Sequence, residues 1–246
     1  MSTDPEHVEI AGQAIPVVRL TPGSTTAVVA SELAAAGLPI GAPVVVLVGG
    51  AGGLELAEAR ACSVLFERAL LPVVEGIGAV LVDGGTDAGI MSLAAEARRR
   101  IGGRSPHVGV VAEGTVRWPG DVREPDHAAD LEPHHTHFVV APGDRWGDEA
   151  PWLSVVARAI AGRAPSVTVL ANGGNVAYDD VRISISALRP VLVLDGTGRA
   201  AAAIAAARSG VPADPRAVMS AASALVSVAR DDPDAVRAAL AAALAK

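Results

Sequence analysis

The segment Ala79–Met91, with the sequence AVLVDGGTDAGIM, contains the features that decide the fold of this chain. Its first four residues are small or apolar and predict a buried strand, which Asp83 ends. The glycine turn Gly84–Thr86 follows, and a helix is predicted over Gly89–Arg100. Glycines let the backbone approach a ligand closely, and the first N–H groups of a helix are free to bind an anion such as phosphate. The segment therefore predicts a strand, a turn and a helix that together form an anion site.

Apolar runs of the same kind recur along the chain, and most are followed by a turn and a helical pattern. They lie at Val44–Val48, Val108–Ala112, Val167–Ala171 and Pro190–Leu194, and a further strand is predicted within HHTHFVVA, which starts at His134. Helical segments separate most of these strands, which is typical of a parallel sheet. The sequence therefore predicts an α/β fold with a doubly wound, mainly parallel sheet of about six or seven strands.

The two ends of the chain depart from this pattern. Val8–Leu20 predicts one or two short strands broken at Pro16. Near the other end, two Ala-rich helices are predicted, each after an Asp–Pro pair that can cap it. We therefore expect an α/β domain over residues 1–212, which includes an N-terminal extension over 1–40, and extra C-terminal helices over 213–246.

Composition and charge exclude several classes of protein. The chain has 246 residues, a net charge of −7 and few aromatic residues (three Trp, one Tyr and two Phe), which argues against nucleic acid as the main partner. No apolar run approaches the roughly eighteen residues of a membrane span, and the N-terminus has no signal-like stretch. The single cysteine, Cys62, suits a reducing compartment. We therefore expect a cytoplasmic protein without a membrane partner.

The distribution of basic residues excludes further chemistry. Lys246, at the end of the chain, is the only lysine, and the other cationic side chains are arginines. Phosphate-loop nucleotidases and protein kinases need a lysine beside the phosphates, and Schiff-base enzymes need a buried lysine amine. None of these three classes fits the sequence.

For the turn after the Val44–Val48 strand and the loop after the Val108–Ala112 strand, the sequence allows either a structural role or contact with a ligand. Gly49–Gly53 does not fit the dinucleotide pattern G-x-G-x-x-G, so it predicts either a tight turn that needs small residues or a direct ligand contact. The loop after the Val108–Ala112 strand carries Thr115, Arg117 and Trp118. These residues either contact a ligand at the carboxyl edge of the sheet or belong to an ordinary polar loop.

Histidines cluster at the start of the predicted strand in HHTHFVVA. His135 and His137 are two residues apart, so a strand would place them on one face, and a metal site with His134 and nearby acids is conceivable. The spacing supplies no strong third ligand, however. We therefore predict that His135 and His137 contact the ligand or the backbone and bind no transition metal.

Five motifs carry a resemblance to a known family. They are PVVVLVGGAGG, AVLVDGGTDAGIM, LEPHHTHFVVAPGDRWGDE, VTVLANGGNVAYDDV and RPVLVLDGTGR, in this order over residues 40–210. With them the chain resembles the TRPM-associated prokaryotic branch of the SLOG superfamily, which is related to LOG and DprA proteins and to the cytosolic N-terminal region of melastatin-type channels. The resemblance implies a Rossmann-like sheet that binds or senses a nucleotide-derived ligand, such as ADP-ribose, NAD or a cyclic derivative, with no other cofactor. We also expect a homo-oligomer.

The LOG branch supplies an alternative function. Its enzymes are phosphoribohydrolases that cleave the N-glycosidic bond of nucleotides, with the pattern P-G-G-x-G-T-x-x-E. The corresponding stretch here is Pro142–Glu149, in which Asp144 replaces the second glycine and the G–T pair is lost. Glu149 could still activate water beside a ribose, or it could only stabilise the helix dipole. Because the motif is broken, we favour binding over catalysis.

Most of the expected ligand contacts lie in the turns and loops at the carboxyl ends of the strands. We expect the N–H groups of Gly84–Thr86 and Asn172–Gly174 to bind a diphosphate, Trp146 to form an aromatic wall and Glu149 to bind ribose hydroxyls. The full set is Gly49, Gly50, Gly84, Gly85, Thr86, Gly89, Thr115, Arg117, His135, His137, Gly143, Trp146, Glu149, Asn172, Gly173, Gly174, Gly196 and Arg199.

Overall fold

The computed structural model describes residues 6–120 and 128–245, and Lys246 lies outside them. Within these ranges the strands are β1 (Glu6–Ile10), β2 (Gln13–Arg19), β3 (Val44–Gly49), β4 (Val80–Asp83), β5 (His107–Ala112), β6 (Val116–Arg117), β7 (Ala129–Asp130), β8 (His137–Ala141), β9 (Ser166–Ala171), β10 (Val191–Leu194) and β11 (Val226–Ala229). The helices are α1 (Thr26–Ala35), α2 (Leu56–Leu65), α3 (Leu71–Ile77), α4 (Gly89–Arg100), α5 (Ala150–Ala161), α6 (Asn175–Ser186), α7 (Arg199–Arg208), α8 (Pro215–Ala221) and α9 (Pro233–Leu244). In the same ranges no helix has the length and hydropathy that a bilayer-spanning segment requires.

Nine of the described strands form one sheet, in the order β1-β2-β8-β5-β4-β3-β9-β10-β11. All neighbouring pairs from β2 to β11 are parallel, whereas β1 pairs with β2 antiparallel. The predicted α/β fold with a mainly parallel sheet is confirmed. The predicted count of about six or seven strands is too low, because the N-terminal hairpin joins one edge of the sheet and β11 joins the other.

The strand β11 lies inside the C-terminal segment for which only helices were predicted. It pairs with β10 from Val191 opposite Val226 to Leu194 opposite Ala229. Its four residues stand between two Ala-rich helices, and so short a run gives no clear period in the sequence. Residues 213–246 therefore contribute a strand to the main sheet as well as the predicted helices.

Helices cover both faces of the sheet. Val44 and Val46 of β3 point to the core under α1, α5, α6, α7 and α8, whereas Val45 and Leu47 point to the core under α2, α3, α4 and α9. A strand that is buried on both faces needs apolar residues at every position, which explains the continuous run VVVLV.

The N-terminal hairpin corrects one local prediction. Pro16 does not break the strand, because β2 is continuous over Gln13–Arg19 and the chain turns earlier, at Ala11 and Gly12. β8 pairs with residues 17–19 of β2, so the N–H that Pro16 lacks is not needed in that ladder. The hairpin therefore adds two strands to the sheet.

Candidate ligand-binding site

The order of strand addition reverses between β3 and β9. The chain adds β4, β5 and β8 on one side of β3, and β10 and β11 on the far side of β9. In open parallel sheets ligands bind outside the carboxyl ends of the strands at such a switch point. A cavity of ≈ 270 Å³ lies there, between Gly49 at the end of β3 and Gly174 after β9. We call it the switch-point cavity.

The turn after β3 packs closely against the chain after β9. A Cβ atom on Gly49 would lie 1.9 Å from the carbonyl oxygen of Ala171, and one on Gly50 would lie 2.6 Å from Oδ1 of Asn172. No side chain fits at these distances, so both positions need glycine for packing. Gly49 and Gly50 also line the cavity, so the turn is both tightly packed and available to a ligand.

One end of the switch-point cavity is cationic. Gly174 and the first residues of α6, from Asn175, line the cavity, so the free N–H groups of the first turn face an occupant. Arg199 lines it too, and its Nη1 donates a hydrogen bond to the carbonyl oxygen of Gly52 at 2.7 Å. A Cβ on Gly174 would lie 3.2 Å from Nη2 of Arg199. We call Gly174, the start of α6 and Arg199 the cationic end.

The opposite end is acidic. Glu149, the N-cap of α5, and Asp180 of α6 both line the cavity. The N–H of Gly147 donates to Oε2 of Glu149 at 2.8 Å, and burial raises the pKa of Glu149. Asp180 lies five residues after Asn175 on α6, about 7.5 Å along the helix axis. We call Glu149 and Asp180 the acidic end.

Asp180 is buried without a compensating partner. The residue is 8% exposed, and burial, followed by the charges of Glu149 and Asp179, raises the pKa of Asp180 to about 8. Within the part of the chain that the structure describes, no donor bonds its carboxyl group. The sequence-based set of site residues did not include Asp180. Its helical spacing gives a signal nonetheless, because Ala177, Asp180, Val181 and Ser184 form the buried face of α6.

Comparison with known proteins identifies the family. The model of the family described as "SLOG in TRPM, prokaryote" matches residues 42–237. The chain belongs to this family. No curated protein matches the sequence. Among solved structures, the molybdenum cofactor carrier protein of Chlamydomonas reinhardtii is similar, with a TM-score of 0.52 and 19% identity over 83% of this chain and 99% of that chain. At this identity the similarity shows the fold alone.

The ligand contacts expected for this member of the prokaryotic SLOG family fall into two groups. One group lines the switch-point cavity: Gly49, Gly50, Gly84, Thr86, Thr115, Trp146, Glu149, Gly174 and Arg199. The other group lies away from the cavity lining: Gly85, Gly89, Arg117, His135, His137, Gly143, Asn172, Gly173 and Gly196.

Glycines of the second group serve the packing of the turns. Gly85 has φ +66°, and a Cβ on it would lie 2.8 Å from the Cα of Gly109. Gly89 has φ +53°, and a Cβ on it would lie 1.9 Å from the carbonyl oxygen of Gly50. Both conformations favour glycine. A valine at Gly85 would therefore disturb the fold as well as any ligand, so it is not a selective test of binding.

The polar residues of the second group have partners in the protein. Nδ2 of Asn172 donates to Oε2 of Glu58 and to the carbonyl oxygen of Thr197, both at 2.9 Å. Nε of Arg117 donates to Oδ1 of Asp130 at 2.9 Å. Such contacts join neighbouring turns and loops, so these side chains contribute to the frame of the site.

The two histidines do not share a strand face. His137 begins β8, and its Nε2 donates to the carbonyl oxygen of Ala36 at 3.1 Å. His135 precedes the strand, and its Nε2 lies 2.8 Å from Oδ1 of Asp83. The expected shared face fails because the strand starts two residues after His135. His137 contacts backbone, in the manner that the sequence predicted.

A buried network surrounds Asp83. Its Oδ2 lies 2.7 Å from Nε2 of His107, and its Oδ1 accepts the N–H of Gly85 at 2.8 Å in addition to its contact with His135. Nδ1 of His135 lies 2.8 Å from Oε2 of Glu132. We call Asp83, His107, Glu132 and His135 the Asp83 cluster. All four side chains are buried.

Charges within the Asp83 cluster compensate for its burial. Burial alone would raise the pKa of Asp83, but His107 and His135 hold it well below its usual range. Burial alone would lower the pKa of His135, but Asp83 and Glu132 raise it to about 9. Burial and the neighbouring His135 lower the pKa of His107. The cluster therefore consists of ionised Asp83 and Glu132, protonated His135 and neutral His107.

The Asp83 cluster fixes the glycine turn that lines the cavity. The N–H of Glu132 donates to the carbonyl oxygen of Gly85 at 3.0 Å, and Leu131 forms an isolated bridge with Thr86. Ligand atoms of Asp83, His107 and His135 lie within 4.8 Å of one another, which is close enough for a metal ion. The separations of 2.7 and 2.8 Å are those of hydrogen bonds. The absence of a transition metal stays a prediction.

Proposed function

We propose that the chain binds or senses a nucleotide-derived ligand, such as ADP-ribose, NAD or a cyclic derivative, in the switch-point cavity. The arrangement of opposite ends in this one cavity carries the proposal. The cationic end suits phosphate, because helix N–H groups and a guanidinium both favour an anion. The acidic end suits sugar hydroxyls, which donate to carboxylate oxygens.

The size of the cavity suggests how such a ligand would lie. A volume of ≈ 270 Å³ is at the small end for ligand pockets, so a ribose phosphate would fill it and the rest of a dinucleotide would extend outwards. Trp146 is 44% exposed and lines the cavity, so its ring is available to stack on a base or ribose.

Calorimetry with a matched pair of glycine variants tests this proposal. Gly84 lines the cavity, and a Cβ there makes only ordinary contacts of 3.9 to 4.0 Å with Met91, so Gly84→Val should fold and obstruct the ligand. Gly76 is exposed on α3 with nothing within 4 Å of a Cβ, so Gly76→Val is the control. ADP-ribose should bind the wild type and Gly76→Val but not Gly84→Val. Equal affinity in all three proteins contradicts the placement.

Native mass spectrometry addresses the identity of the ligand. Protein purified from its own cytosol should retain a species whose mass and absorbance match a nucleotide. The expected homo-oligomer stays a prediction, and light scattering on the same sample tests it. A protein without any retained nucleotide, and without affinity for ADP-ribose, NAD or their cyclic derivatives, would overturn the proposal.

Hydrolysis of a nucleotide N-glycosidic bond is the second candidate, and the acidic end favours it. A pair of carboxyl groups, one protonated and one ionised, is the arrangement that cleaves glycosidic bonds. Incubation with NAD, AMP or ADP-ribose followed by chromatography separates the two functions. A binding protein leaves the nucleotides intact, and Glu149→Gln weakens binding modestly. A hydrolase releases free base, and Glu149→Gln loses turnover while it still binds.

A further inference from the structure

Asp180 is the residue of the acidic end whose carboxyl group is buried and has no partner in the described part of the protein. Asp180 shares the buried face of α6 with Ala177 and Val181, both of which pack in the core. Its side chain lines the switch-point cavity, and no donor among the described residues bonds its carboxyl group. A buried polar group without a partner is costly, so a group that faces a cavity in this way is available to an occupant of that cavity.

The charged groups around Asp180 do not supply a counter-ion. Glu149 of α5 and Asp179 of α6 act on its charge, Arg199 of α7 and Arg189 before β10 line cavities together with it, and Arg216 lies on α8, which packs against α6. Each arginine has other acceptors: Arg189 donates to Ser154 and Ser166, Arg199 to Gly52, and Arg216 to Asp214 and Asn175. The two acids carry the same charge as an ionised Asp180 and disfavour it. The surroundings therefore favour a neutral carboxyl group.

We infer that Asp180 binds the ligand as a neutral carboxylic acid, whose O–H donates to a hydroxyl oxygen of an uncharged ribose at the acidic end. This inference rests on the proposed function. A protonated carboxyl group has one donor and one acceptor, so it complements a sugar hydroxyl, which has both. A carboxyl oxygen of Glu149 beside it accepts from a second hydroxyl. An anionic substituent on that ribose would meet Glu149, so the acidic end selects against a ribose that carries an extra phosphate.

Binding measured against pH separates a neutral Asp180 from an ionised one. Wild-type affinity for ADP-ribose should be constant from pH 7 to about 8 and then fall about tenfold for each further pH unit, because the ligand requires the protonated form. Asp180→Asn keeps a donor and an acceptor of the same shape, so it should bind at pH 7 and lose this pH dependence. Asp180→Leu should bind at least about tenfold more weakly at every pH.

Two controls keep the result specific. Glu9→Gln changes an exposed acid on β1, at the far edge of the sheet from α6, and should leave both the affinity and its pH profile unchanged. ADP-ribose that carries an additional phosphate on the ribose should bind the wild type at least about tenfold more weakly than ADP-ribose. A wild-type affinity that is flat or rises above pH 8, or an Asp180→Asn variant as weak as Asp180→Leu, would overturn the inference.

Carbon-13 NMR of aspartate carboxyl groups distinguishes failure of the inference from failure of the proposed function. The signal that disappears in Asp180→Asn belongs to Asp180, and its shift at pH 7 in the ligand-free protein should be that of a protonated acid. An ionised signal at pH 7 overturns the inference whatever the ligand. A protonated signal in a protein that binds no ADP-ribose at any pH places the failure in the proposed function instead.

Discussion

Two buried aspartates of this molecule have opposite surroundings. Asp83, at the end of β4, is fully buried but contacts His107, His135 and the N–H of Gly85. Asp180, on α6, is buried to a similar degree but has no hydrogen-bond donor among the described residues and lies near Glu149. The same side chain therefore has a pKa far below its usual range at one position and a raised pKa at the other.

The difference between them separates the frame of the site from its contact surface. The two histidines and the N–H of Gly85 bond both carboxylate oxygens of Asp83, so that it holds the Gly84–Thr86 turn in place and faces protein groups instead of a ligand. Asp180 has all of its hydrogen-bonding capacity free and faces the cavity. Burial alone does not distinguish a structural acid from a ligand-binding acid, whereas the supply of partners does.

The largest expected effect comes from removing the charge of Asp83. Asp83→Asn should lower the free energy of unfolding by about 3–5 kcal/mol, because it leaves the buried, protonated His135 without one of its two carboxylates. Urea unfolding at pH 7 measures this loss. Asp87→Asn is the control, since Asp87 is exposed and should change stability by no more than about 0.5 kcal/mol. A loss below about 1 kcal/mol would mean that Asp83 is not a structural acid.

The second effect has the opposite sign and concerns Asp180. The pKa of Asp180 is about 8 in the folded protein and lies well above its value in the unfolded chain, so the acid ionises first in the unfolded chain as pH rises. The folded state therefore becomes less stable between about pH 4 and pH 8. Asp180→Asn removes this penalty and should raise the free energy of unfolding at pH 9 by roughly 2–3 kcal/mol. Urea unfolding at pH 9, with Glu9→Gln as the control, measures it. A loss of stability would remove the contrast between the two aspartates.

A third, smaller effect is the loss of stability at high pH that His135, the partner of Asp83, should cause. Its folded pKa of about 9 exceeds the unfolded value near 6.5, so its contribution to stability is complete below pH 6.5 and is lost as pH rises through about 9. In the Asp180→Asn background, stability should therefore still fall by about 1–2 kcal/mol between pH 6.5 and 9.5. His135→Gln in the same background should flatten the profile. An unchanged slope would assign the loss to another group.

The smallest expected effect is that of a metal chelator, which should be none. If hydrogen bonds alone hold Asp83, His107 and His135 together, EDTA should leave the unfolding midpoint unchanged, and elemental analysis should find no stoichiometric transition metal. Stoichiometric zinc that disappears in His135→Ala would reassign the Asp83 cluster as a metal site. In that case the contrast with Asp180 would be one between a metal ligand and a free acid.

Local patterns predicted the parts of this structure that depend on local sequence. The apolar strands, the glycine turn Gly84–Thr86 and the helix Gly89–Arg100 are present in the structure. They were predictable because a strand buried on both faces needs a continuous apolar run, and a tight turn needs glycines, in consecutive positions of the sequence. The strand β11 was missed because four residues are too few to show a period.

Contacts between segments that are distant in the chain could not be predicted from a single sequence. His107 and His135 reach Asp83 because β4, β5 and β8 lie near one another in the sheet, and no local spacing reveals this order. Asp180 was predictable in part. Of the adjacent acids Asp179 and Asp180, only Asp180 falls on the helical face of Ala177, but the sequence does not show that this face borders a cavity.

The place of Trp146 gives the protein an intrinsic optical signal. Trp146 lies at the cavity, whereas Trp118 contacts Arg19 of the N-terminal hairpin and Trp152, on α5, packs against the core. A base stacked on the Trp146 indole would quench its emission and leave the other two as an internal reference. Occupancy of the cavity could then be followed in real time with the unlabelled protein, and Trp146→Phe would identify the source of the change.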